Sequence, residues 1–145
     1  MSRARTFADL ATASETGSLA SPNMITNGDM SVAQRGTSST GQSSSGIKCV
    51  DQYHYLHSGD GTSDISQSST APSGFKNSLK VECNATDSSL GAGDFVGIRH
   101  HIEAQHCQKL LFGTSDAKAI TISFHVRSKQ TGTYALNLFL DDDLV

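Results

Sequence analysis

From Asn23 onward, apolar and polar residues alternate with a period of two along most of the chain. Met30, Val32 and Gln34 alternate with Ser31, Ala33 and Arg35, and Ile47, Cys49, Asp51, Tyr53 and Tyr55 fall on one side of a second segment. Leu79, Val81, Cys83 and Ala85 alternate with Lys80, Glu82 and Asn84, and Val96, Ile98, His100 and Ile102 share a side across 95–103. The clearest segment sets Ile120, Ile122, Phe124 and Val126 against Thr121, Ser123, His125 and Arg127. A turn at Lys129-Gln130-Thr131-Gly132 then brings Tyr134, Leu136, Leu138 and Leu140 back on one side, and a weaker strand surrounds Ile65. Successive side chains of a strand point to opposite faces, so each segment is expected to have one buried and one wet face. Glycine-bearing loops at 36–46 and 59–61 supply the turns, and 104–112 is the one stretch expected to form a short helix. The pattern predicts an all-β protein, an antiparallel β-sandwich that buries two apolar sheet faces against each other.

Residues 1–22 break this period. Thr6-Phe7-Ala8-Asp9 has the Thr-x-x-Asp form of a helix start, with Phe7, Leu10 and Ala11 on one helical face before Gly17 and Ser21-Pro22 end it. Two helical turns do not hold alone in water, so this short N-terminal arm is either disordered or orders by docking. Phe7 and Leu10 are its apolar docking candidates, and Arg3 and Arg5 suit an acidic partner surface. The expected organisation is a docking arm and linker over 1–22 and a sandwich over 23–145.

Composition narrows the function classes. The 145-residue chain carries a net charge of −3 with 17% charged residues. It lacks the basic footprint that nucleic-acid binding needs, and no apolar run approaches the length of a membrane helix. Neither nucleic acid nor membrane insertion is expected. Cys49, Cys83 and Cys107 are odd in number and follow no metal-ligand spacing, which suits reduced thiols in a reducing cytoplasm.

Catalytic arrangements are few. His100 and His101 are adjacent, so on a strand they point to opposite faces and cannot readily share a metal; His54 and His57, three apart, diverge in the same way. Asp60-Gly-Thr-Ser-Asp64 and Asp141-Asp142-Asp143 are oxygen-rich but lack the full ligand series of a calcium loop. Nothing names a nucleophile, an acid–base pair, a metal or a cofactor, so no enzyme is expected. Binding is the better class. Arg99, His101 and Glu103 alternate outward from Ile98, His100 and Ile102, and with Gln105 they are the candidate residues for bracketing a glycan. Tyr53 and Tyr55 are expected to pack in the core.

Asn27-Gly28-Asp29-Met30-Ser31-Val32-Ala33-Gln34-Arg35-Gly36 resembles the opening signature of carbohydrate-binding-module-like jelly rolls in bacteriophage tail fibres and related virion proteins. Val50-Asp51-Gln52-Tyr53, Ser78–Val81, Arg99–Glu103 and Ile120–Ser128 leading into Thr131–Tyr134 follow in the family's order, so the resemblance spans about residues 23–140. Tyr53 stands where the family commonly has Trp. The leader from Ser2 to Leu10 is similar to the segment before such domains in some tailed phages. The resemblance implies a jelly roll carried on a virion as part of a tail fibre, homotrimeric, made in the host bacterial cytoplasm. It also implies a leader that docks on a tail adaptor or nozzle protein, but it supplies no ligand: a host surface glycan is the partner expected from the Arg99, His101, Glu103 and Gln105 candidates. A soluble carbohydrate-binding module and a capsid decoration protein are the alternatives. The family motifs read mainly as fold determinants, with Arg35 and Asp51 expected in an internal salt bridge or turn. Relatives continue with further strands past the Tyr134–Leu140 segment. The sandwich is therefore expected to be incomplete, either because the sequence is a fragment or because a neighbouring subunit completes it.

Overall fold

A computed structural model of the chain describes residues 23–139. The arm over 1–22, with Arg3, Arg5, Phe7 and Leu10, lies outside the described residues, as do Leu140 and Asp141–Asp143. Six strands form in order: β1 (Ser38–Gln42), β2 (Gly46–Ile47), β3 (Tyr53–Ser58), β4 (Thr62–Ser68), β5 (Ser78–Ala85) and β6 (Phe95–His100). They build two three-stranded antiparallel sheets, β1-β4-β5 and β2-β3-β6. The fold is an all-β sandwich, and the chain passes from one sheet to the other three times. A short helix, α1 (Ala104–Cys107), and a 3-10 turn (Gln108–Leu110) follow β6 within the stretch where a helix is expected.

The core lies where the sheets face each other. Tyr55 of β3 and Ile65 of β4 are buried there with Cys49 and Val50, and Met30, Tyr53, Leu79 and Val81 pack against them. Register explains the selection. Ile65 lies opposite Val81, and Tyr55 opposite Ile98, so the apolar sides of β3, β5 and β6 all turn inward as their alternation requires. Burial pushes the Cys49 thiol above its ordinary pKa, whereas Cys83 is exposed. In the first sheet, Asp64 holds the central strand to both neighbours. Its carboxylate accepts the Gly41 backbone N–H (2.7 Å) from β1 and the Asn84 amide (3.0 Å) from β5, and these donors keep it below the usual carboxylate range.

Four expectations change. The 36–46 loop contains β1, a strand of polar residues at the sheet edge that is held by backbone pairing to β4 rather than by apolar burial. The weak strand around Ile65 is the central strand of its sheet. Met30–Gln34 is not a strand but part of a corner built by Asn27. The Asn27 amide donates to the carbonyls of Val32 (2.9 Å) and Asp51 (2.8 Å) and accepts the Val32 N–H (2.9 Å). Ile47 and Tyr55 do not share a side, because a turn at 48–52, with Gln52 at φ +73°, separates β2 from β3. Ile47 pairs with His54 instead.

The segments 120–126 and 134–139, the most regular in sequence, join no ladder among the described residues. They are held by Phe75 edge-on to His125 and by Arg99 over the Phe139 ring, 5.7 Å from its centre, while Phe124, Val126 and Leu138 remain 61%, 73% and 69% exposed. Alternation encodes a face to bury but supplies no opposing layer, and none stands against these side chains among the described residues.

Candidate binding face

The turn at Gln52 sets which side chains meet on the second sheet. His54 lies opposite Ile47 on β2 and Arg99 on β6, so all three project from the outer face, away from Tyr55. His101, just past the end of β6, stacks its ring on His54 with centroids 4.8 Å apart and planes 5° from parallel. His100 turns inward and meets Tyr53 edge-on at 5.0 Å, with its Nε2 within 3.1 Å of the Thr26 carbonyl. The two neighbouring histidines thus serve opposite faces. His57 is likewise separated from His54 and packs on Tyr55.

Beside the outer face opens a hollow of about 440 Å3, with Thr26, Gln34, Arg35, Ile47, Asp51 and Gln52 among its walls. Ile47 is a wall of the hollow and lies opposite His54 in the ladder, so the histidine pair adjoins this wall residue. Asp51 is turned into the corner, accepting the Gln34 backbone N–H at 3.1 Å while its own N–H donates to the Val32 carbonyl. It thus fulfils the turn expectation rather than an ion pair with Arg35: the one ion pair among the described residues is Lys80–Glu82, at 2.6 Å. Arg35 and Arg99 therefore flank the face without a carboxylate partner among those residues.

Of the sequence candidates, the structure brings Arg99 and His101 together. Glu103 is carried to the position before α1 and Gln105 onto that helix, both exposed beyond the strand. His54 and Arg35 were not candidates; a signal was present in the two histidine-bearing segments, 53–57 and 99–101, but only their antiparallel register pairs them. Among the described residues no group of three His, Cys, Asp or Glu side chains could hold a metal ion. In the Asp60-to-Asp64 stretch, Asp64 serves the sheet, and the Asp60 backbone N–H donates to Asp87 (3.0 Å). No described helix is long and apolar enough to cross a membrane.

Desolvation lowers the pKa of His54, and the positive groups around it, His101, Arg99 and Arg35, lower it further. Above its ordinary value of 6.5 the ring is neutral in both folded and unfolded chains and adds no pH dependence. Below that value the unfolded chain binds a proton that the folded chain resists, so stability falls until the lower folded pKa is passed. Urea midpoints are expected to drop from about pH 7.5 to about pH 5.5, and His54→Gln should flatten part of that drop. An unchanged slope in the variant would refute this assignment.

Comparison of the chain with known protein families, curated proteins and solved structures returns no match.

Proposed function

We propose that the chain is a virion structural protein, the N-terminal part of a bacteriophage tail fibre or fibre-like appendage. Residues 1–22 attach it to an adaptor or nozzle protein of the tail, and the sandwich, a jelly roll by resemblance, serves as a spacer and adhesion module for host attachment. The protein is a homotrimer, made in the host cytoplasm and carried on the tail.

The observation that carries this reading is the uncovered apolar surface. Val96 and Ile98 on the inner side of β6, and Phe124, Val126, Leu136 and Leu138 on the segments that follow, are all exposed. Large apolar side chains left exposed on successive segments suit a protein–protein contact surface, and so a chain that works inside an assembly. The Asn27 corner adds support, because the residues that carry the family resemblance bond to one another and to Asp51. They act as a fold signature rather than as contacts to a ligand.

The test is deletion of residues 1–22 from the chain in the phage that encodes it. The expected result is loss of the protein from purified particles with its β-rich circular dichroism unchanged. Retention in particles, or loss of the β signal, would overturn the docking role. A copy number matching the capsid lattice would turn the reading to a head decoration protein. A soluble carbohydrate-binding module is favoured instead by the basic outer face if the chain is absent from particles altogether.

A further inference from the structure

We infer that the outer face of β3 and β6 is a receptor site for a carboxylate-bearing saccharide, seated between Arg35 and Arg99 with a sugar ring against the His54–His101 pair. The inference deepens the adhesion role proposed above and rests on it for its biological setting. Four features support it.

The first is shape. The hollow beside Arg35 has Ile47, the ladder partner of His54, in its wall, and at about 440 Å3 it is of the size that holds a few sugar rings. The second is unspent charge. Arg35 and Arg99 carry no carboxylate partner among the described residues, while Asp51, the carboxylate in the hollow wall, is engaged by the Gln34 backbone N–H. A guanidinium presents a rigid fork of donors that matches a carboxylate with two parallel hydrogen bonds. The Arg99 guanidinium also lies over the Phe139 ring, 5.7 Å from its centre, at cation–π distance.

The third is the flat apolar margin. The parallel imidazoles of His54 and His101 and the side chain of Ile47 offer planar and aliphatic surface to the C–H face of a sugar, which a bare anion would not use. The fourth is the chain's overall charge. At −3, the protein repels long polyanions, which favours a short carboxylate-bearing saccharide over a nucleic acid.

Proton linkage gives the site a signature. The groups facing His54 are Arg99 and His101 from the β6 side, Arg35 from the loop before β1, and apolar Ile47 from β2. All the charged or titratable ones oppose its protonation. A bound carboxylate reverses that balance, so binding takes up a proton and tightens as pH falls. The chain carries one acidic run of its own that could compete, Asp141-Asp142-Asp143, two residues after Phe139 in sequence.

The test is calorimetric titration of the full chain with tri-galacturonate, neutral galactotriose and tripolyphosphate. The expected result is binding of the uronate about tenfold or more tighter than the neutral sugar, and tighter at about pH 5.5 than at pH 7.5. Arg35→Ala and Arg99→Ala should each weaken it about tenfold, and Arg99→Lys, which keeps charge and loses the fork, by less. Equal affinity for the neutral sugar, tighter binding of tripolyphosphate, or indifference to both arginine variants would overturn the inference. So would uronate binding that appears only when Asp141, Asp142 and Asp143 are all changed to Asn, because the acidic run would then be the native occupant. Failure here with the protein still docked on particles refutes this site alone. Uronate binding by a chain absent from particles refutes the fibre reading alone.

Discussion

Tyr55→Ala is expected to lower the unfolding free energy by about 3–5 kcal/mol, a large share of the roughly 5–15 kcal/mol typical of a folded domain. Tyr55 is only 1% exposed and is the largest side chain in a core shared with Cys49, Val50 and Ile65. It is also where the two sheets meet, so its removal opens a cavity against both layers. Urea or thermal unfolding followed by circular dichroism reads the effect directly. The conservative variant separates packing from polarity. The Tyr55 hydroxyl is buried and finds no hydrogen-bond partner among the described residues, so Tyr55→Phe retains the ring and sheds a polar group unpaired there. It should be neutral or raise stability by up to about 1 kcal/mol. A large loss in the Phe variant would mean that the hydroxyl is bonded after all.

Asn27→Ala is expected to cost about 2–4 kcal/mol, from three hydrogen bonds and a conformational term that act together. The Asn27 amide accepts one N–H and donates to two carbonyls, closing the chain from Asn27 to Val32 and tying it to Asp51. Its backbone sits at φ +53°, a left-handed conformation that Asn tolerates and Ala resists. Two further variants divide the cost. Asn27→Gly keeps the backbone and loses the bonds, whereas Asn27→Asp keeps acceptance from Val32 and loses both donations. Denaturation midpoints should rank wild type above Asp and Gly, with Ala lowest. Ala equal to wild type would show that the corner does not depend on this side chain.

The strands differ in how far the amino-acid sequence alone makes them legible. β5 forms where its regular alternation predicts it, and β6 forms over Phe95–His100, the first part of the segment expected across 95–103. β1 was hidden, since SSTGQ has no apolar side and an edge strand can be held by backbone bonds alone. β4 was only half visible, because Ile65 is the one large apolar residue in TSDISQS, yet that residue sits in the core beneath two neighbouring strands. The reading of 47–55 as one strand failed at Gln52, where a left-handed residue that no propensity announces breaks the segment and changes the side on which Ile47 lies.

The candidate face divides in the same way. Arg99 and His101 could be named from sequence, because residues two apart on a strand share a side. Glu103 and Gln105 could not be kept with them, because the strand ends at His100 and a helix begins. His54 and Arg35 came to the site by long-range means, one through the antiparallel register of β3 with β6 and the other through the corner that Asn27 holds.

Sequence alone determined that this protein is all-β and which side of its most regular paired strands, β5 and β6, is apolar, because side-chain alternation is a local consequence of extended backbone. Tertiary structure alone decided which strands pair, where the turns reverse a face and which charged groups meet. Those depend on residues distant along the chain coming into register, and one-dimensional periodicity carries no information about that. The segments 120–126 and 134–139 mark the boundary between the two. Their pattern states that a face is to be buried, and only a partner layer in three dimensions can say against what.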